Sequence, residues 1–175
     1  MIISLAIEKM IKFYQGNIHD INHFLKVYGF AKTIGEQENL DANTQEKLEL
    51  AAVIHDIACP LCREKYGSTN GKLQEQESPA LVEQFLLELS VPEETISCIS
   101  WVVAHHHTLP ERCDMPEGWS PTDMDRMVHQ ILLEADYLVN ADEGGKSKEG
   151  ISSALTKLFR TRTGKRLLRS VYRIP

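Results

Sequence analysis

Apolar residues recur at three- and four-residue intervals along most of the chain, and no stretch alternates strictly between apolar and polar as a half-buried strand would. The pattern predicts an all-α fold, a helical bundle of about six to eight helices. No internal repeat, low-complexity tract or long linker divides the sequence, so residues 1–175 read as a single domain. A first helix is expected over 2–14 and, after Gly16-Asn17, a second over about 18–37. Asp41 or Asn43 caps a third helix running to about residue 57. Pro60, Gly67, Asn70 and Gly71 mark an irregular stretch of about fifteen residues. Ser78-Pro79 then has the form of a helix start, with a capping Ser and Pro at the first helical position, for a helix over about 79–89. Pro92 opens a fifth helix that ends in His105-His106-His107, and residues 108–120 form a second long loop. Ser120-Pro121 opens a sixth helix through about Asn140, a short helix covers about 147–160, and a basic tail closes the chain.

Several polar residues fall on the apolar faces of these helices. His23 shares a face with Val27, Phe30 and Ile34, and His55 shares one with Leu48, Ala51 and Ala52. His129, Leu132, Leu133 and Asp136 line one face of the sixth helix. By helical angle His106 best continues the apolar face of the fifth helix, with His107 at its margin and His105 facing away. Asp56 follows His55 at the end of the apolar run 48–54, where an unpaired carboxylate is costly to bury. Four helices thus each aim a metal-capable side chain inward. Imidazole and carboxylate together suit divalent zinc, iron, manganese, nickel or cobalt better than calcium.

Composition adds limits. A chain of 175 residues with 42% hydrophobic content can bury its own core, which leaves a metal site free for chemistry. No stretch approaches the roughly 20 apolar residues of a membrane span, and the first ten residues lack the basic start of a signal peptide. The expectation is a soluble, cytoplasmic protein without membrane contact. Cys59, Cys62, Cys98 and Cys113 suit a reducing compartment, and Cys59-Pro-Leu-Cys62 lacks the second pair that a structural zinc site needs. The net charge of -6 conceals an asymmetry, because residues 146–175 hold nine Lys/Arg against one acid. That basic extension complements an acidic body, which would repel a nucleic-acid duplex over most of its surface.

The order His23, His55-Asp56, Asp136, with the phrases Ala51-Ala-Val-Ile-His-Asp-Ile57 and Glu134-Ala-Asp-Tyr-Leu138, resembles the HD-domain superfamily of metal-dependent phosphohydrolases. The resemblance spans about residues 18–140 and implies a helical fold with one or two divalent ions bridged through Asp56. Binuclear members add two histidines between the HD pair and the last Asp. The later one matches the triplet, as His106 or His105. The earlier one is missing, and Glu77 takes its place in this reading. Many members also follow the HD pair with a phosphate-contacting Lys, where this chain has Cys59. Arg63, Lys65, Lys72 and Arg112 are the candidates to compensate.

The resemblance implies hydrolysis of a small phosphorylated substrate, such as a nucleotide, by a metal-activated water. Asp56 holds the metal and orients the water, and His106 either ligates or donates a proton. Two rival readings carry different chemistry: a di-iron oxygenase with the same ligand set, and a metal- or nucleotide-binding regulatory module without turnover. His19, one turn before His23, reads as an exposed helix start, while His129 suits a hydrogen bond to a ligand or plain packing. A homodimer is compatible with everything above.

Overall fold

The structure, a computed structural model, describes residues 1–113 and 119–175. Its elements are α1 (Ile2–Phe13), α2 (Ile18–Gln37), α3 (Ala42–Ile54), α4 (Cys59–Tyr66), α5 (Gly71–Leu87), α6 (Glu93–Ala104), a 3-10 turn (Pro110–Arg112), α7 (Asp123–Glu143), α8 (Lys148–Lys157) and α9 (Arg162–Tyr172). Among the described residues there is no strand, and no helix is long and apolar enough to cross a membrane.

The centre of the bundle is α3, which packs against α1, α2, α6 and α7. Every residue from Leu48 to Ile54 is buried, so the helix is enclosed on all sides at its C-terminal end, where the one charged side chain, Glu49, accepts from Tyr28, Lys32 and Gln45. That is why the run 48–54 shows so little helical periodicity: a helix surrounded on all sides has no polar face to keep. Asp41, left open with Asn43 as the cap, is the residue whose carboxylate accepts from the Asn43 and Thr44 amides. α3 ends at Ile54, so His55 and Asp56 sit in the tight turn that follows.

Three expected boundaries move. The stretch after residue 57 is not irregular throughout, because α4 occupies Cys59–Tyr66 and stops at Gly67, whose φ of 64° is the left-handed C-terminal conformation that suits glycine. α5 starts at Asn70, whose side chain accepts from the Lys72 amide, so Pro79 lies inside a 17-residue helix rather than at its start. α7 is capped by Thr122 in a reciprocal pair with Asp125 and runs on to Glu143. The expected loop 108–120 contains the 3-10 turn, and its residues 114–118 lie outside the described residues.

The basic extension resolves into α8 and α9. Leu168 is buried, while Arg162, Arg166, Arg169 and Arg173 stay exposed. α9 packs on α7, α8 and α2.

Candidate metal centre

Three imidazoles are presented in the same way. His23 on α2 places Nδ1 2.7 Å from Glu143 Oε2, His55 places Nδ1 2.9 Å from the Ala52 carbonyl, and His106 places Nδ1 2.6 Å from the Val103 carbonyl. Each partner only accepts, so each Nδ1 carries the proton and each Nε2 is left with its lone pair. Those three lone pairs then point at two carboxylates. His23 Nε2 is 3.5 Å from Asp56 Oδ2 and 3.3 Å from Asp136 Oδ1. His55 Nε2 is 3.6 Å and 3.5 Å from the same two oxygens. His106 Nε2 lies 3.5 Å from the other Asp56 oxygen, Oδ1.

Five acceptors facing one another are unstable without something positive between them. His23 Nε2 and His55 Nε2 stand only 3.2 Å apart, and His106 Nε2 is buried without a hydrogen-bond partner. These separations are those of neighbouring ligands around a cation, since two donors each about 2.0–2.1 Å from a tetrahedral ion lie about 3.3 Å apart. The donor set therefore fits a divalent ion. Among the described residues, two groups of three have ligand atoms close enough to share one: His23, His55 and Asp56, and Asp56, His106 and His107. Asp56 belongs to both, through different oxygens.

The electrostatics of the cluster point the same way. Burial alone would raise the Asp56 carboxyl, but positive charge on His55 and His106 holds it well below the usual carboxylate range. Asp136 is likewise held low against burial by His23 and His55. Burial pushes His23 down, yet Asp136, Asp56 and Glu143 together raise it to about 9. The same negative field that favours a proton at these nitrogens favours a divalent cation, whose binding would displace any such proton. His107 is lowered to about 4, chiefly by the charge of His106 beside it.

Each ligand is held by a neighbour. Asn140 Nδ2 donates to both Asp136 oxygens at 2.8 Å, and Lys26 pairs with Glu143 at 3.0 Å. The Tyr14 hydroxyl donates to the Asp56 carbonyl at 3.1 Å. Buried His129 donates from Nε2 to the His105 carbonyl at 2.9 Å, bracing the turn that carries His106 and His107. Gly71 packs against the His107 ring, where a Cβ would come within 2.8 Å of its Cδ2. The cluster opens into a cleft of about 680 Å³ bounded by Asp20, Cys59, Arg63, the loop around Ser68 and Thr69, and Gln74.

A profile of the HD domain matches residues 20–142. The chain belongs to the HD-domain family. No curated protein matches it significantly. Its fold is similar to the crystal structure of a protein described as a predicted HD superfamily hydrolase, from an uncultured Thermotogales bacterium. The TM-score is 0.64 at 21% identity, over 98% of this chain and 83% of the other.

Within this HD-domain protein the structure brings His23, His55, Asp56, His106 and Asp136 together. Other sequence-derived candidates lie elsewhere. Glu77 faces away, bonded to Lys65 at 2.8 Å and to the Tyr66 hydroxyl at 2.5 Å, and the α5 side chain at the cleft is Gln74. His105 turns toward Trp101, its Nδ1 2.8 Å from that residue's carbonyl. α6 stops at Ala104, so the helical angles used to rank the triplet no longer apply, and His106 and His107 both reach the cluster. Arg63 lines the cleft, its guanidinium locked onto Asp20. Lys65 is engaged with Glu77, Lys72 is exposed on the first turn of α5, and Arg112 is exposed on the 3-10 turn. None of these three lines the cleft.

The sequence pattern does not single out Asn140, an ordinary polar residue at the expected end of the sixth helix, and places Glu143 beyond that end. Their spacing from Asp136, four and seven residues, was the available signal.

Proposed function

We propose that this HD-domain protein is a metal-dependent phosphohydrolase acting on a nucleotide or another small phosphoester or phosphoanhydride. The reading is carried by three Nε2 lone pairs and two carboxylates converging on the floor of an open cleft. His23, His55 and Asp56 would hold one ion, joined by Asp136, which lies 3.3 Å and 3.5 Å from the Nε2 atoms of His23 and His55, and Asp56, His106 and His107 a second. Bound there, a divalent cation supplies water acidified from a pKa of 15.7 to about 7 and positive charge for phosphoryl oxygens.

The protein's own groups do the rest. Asp56, kept ionised by the neighbouring histidines, orients the attacking water as a hydrogen-bond acceptor. With one ion only, His106 is free to pass a proton to the leaving oxygen, and the upward shift that Asp56 gives it against burial suits that role. Arg63 presents its guanidinium to the cleft on a fixed bearing, because Asp20 holds it, and so takes the part of the Lys that relatives carry at the Cys59 position.

The test is elemental analysis of protein purified without chelator, followed by a phosphatase and phosphodiesterase screen across Mn, Co, Ni, Fe, Zn and Mg. Residues that merely support a metal ligand are worth about 10–100-fold, so Asp56→Ala should cost more than about 100-fold in activity and lose bound metal. Full metal content with full activity in that variant overturns the assignment. Oxygen consumption without phosphate release would indicate oxidative chemistry, and tight nucleotide binding without turnover a regulatory module.

A further inference from the structure

The metal cluster is the floor of two clefts. The larger has His23 and Asp56 at its base and Arg63 on its wall. The smaller, about 350 Å³, has His106 and Asp136 at its base, Leu133, Tyr137 and Leu158 as walls, and Lys146. His107 and Asn140 line both, so the two clefts lie side by side at the cluster. Both volumes fall in the range of about 300–1,000 Å³ usual for small-molecule sites.

The two clefts differ in character. Around the larger one the cations are already paired: Arg63 with Asp20, and Lys26 with Glu143. In the smaller one Lys146 is exposed and has no carboxylate partner among the described residues; its Nζ lies 5.8 Å from the centre of the Tyr137 ring. That ring is fixed edge-on against Phe159, centroids 5.7 Å apart. A rigid aromatic wall, two leucines and an unneutralised ammonium make a surface for a flat organic group joined to an anion.

A phosphomonoester has a single organic arm and fills one cleft. A phosphorus at the shared floor bearing two organic arms sends one into each. We infer that the smaller cleft is the subsite for the second arm, so that phosphodiesters and two-armed phosphoanhydrides are preferred over monoesters. The inference rests on the phosphohydrolase reading and adds the substrate class to it. Tyr137 and Lys146 select for the second arm; neither is a metal ligand.

The experiment uses the full chain loaded with manganese and compares bis(4-nitrophenyl) phosphate with 4-nitrophenyl phosphate. The kcat/KM ratio, diester over monoester, should be at least about tenfold, equivalent to 1.4 kcal/mol of selectivity. It should fall at least about fivefold in Lys146→Glu and in Tyr137→Leu, which removes the flat face but keeps an apolar side chain against Phe159. A wild-type ratio near or below one, or a ratio unchanged in either variant, overturns the inference. Should Tyr137→Leu fail to fold, Lys146→Glu at its exposed position decides alone. Should neither ester be cleaved, the wider metal and substrate screen decides the phosphohydrolase reading, and calorimetric titration with the intact diester still reads the subsite. Binding at least about fivefold weaker in the variants then supports it, and equal binding overturns it.

Discussion

Gln74 and Glu77 lie three residues apart on α5, and the angle between them decides which one meets the cluster. Charge favoured Glu77 as the stand-in for a missing histidine, since a carboxylate ligates iron or manganese well. Glu77 is instead neutralised by Lys65 and Tyr66. Gln74 is 4% exposed, donates from Nε2 to the Thr69 carbonyl at 2.9 Å, and lies 3.4 Å from His107 Nε2. Its Oε1 is buried without a partner. An amide oxygen is a weaker donor than imidazole for zinc, nickel or cobalt, so the group around Asp56, His106 and His107 should hold its ion loosely. In calorimetric titrations with zinc, Gln74→His should tighten the second binding event by about tenfold or more and leave the first unchanged. Equal affinity for the two ions in the unaltered protein, or no change in the variant, would remove Gln74 from the site.

At the scale of elements, the helix interiors were legible and so were some ends, such as 18–37 for α2 and the Asp41 cap of α3, while the start of α5 and the end of α7 were not. Apolar spacing identified the faces of α2, α3, α6 and α7, and through them His23, His55 and Asp136. Ser78-Pro79 looked like a start because Pro is favoured in a first turn, yet Asn70 caps eight residues earlier and the helix carries Pro79 within it. Residue-level punctuation is weighed against packing, and α5 packs along α6 as well as beside α4. Reading α7 to its true end would have exposed its organisation: Asp136, Asn140 and Glu143 face the cluster, while Glu134 faces α9. The buried Glu134 carboxylate accepts from the amides of Arg160 and Thr161 at 2.6 and 2.9 Å and from Gln130 Nε2 at 2.7 Å. A Cβ on Gly164 would collide with it, which is why the first turn of α9 needs glycine there. Glu134→Ala would strand buried donors worth about 1–3 kcal/mol each. Some of that is recovered by water, so a loss of about 2–4 kcal/mol and about 4–16 °C in melting temperature is expected. Metal content should be unchanged, because Glu134 and the Asp136–Asn140–Glu143 face point to different sides of the helix. Loss of metal together with stability would show that α9 helps to shape the site.

For the whole molecule, the core and the cluster make separable contributions. The apolar core runs from Ala6 to Ile174 and draws on helices throughout the chain, and all four cysteines are buried within the fold. Burial on this scale needs no metal to fold a chain of this length. The cluster, by contrast, gathers side chains from α2, the turn after α3, the turn after α6, and α7. An ion bound there ties four separate segments and binds only the folded state, so it stabilises by mass action. At free metal about 100 times the dissociation constant the gain is about 2.7 kcal/mol, and at 1,000 times about 4.1 kcal/mol. For a chain of this size each kcal/mol moves the melting temperature by about 2–4 °C. Chelation should therefore lower the melting temperature by about 5–16 °C while helical circular dichroism at 25 °C stays unchanged, and added metal should restore it. In Asp56→Ala the chelator-dependent difference should shrink toward zero, because both groups of ligands lose their shared member. A chain that unfolds outright on chelation would mean that the cluster, and not the apolar core, holds α2 and α7 in place. An identical melting temperature with and without metal would mean that the cluster takes up no ion at all.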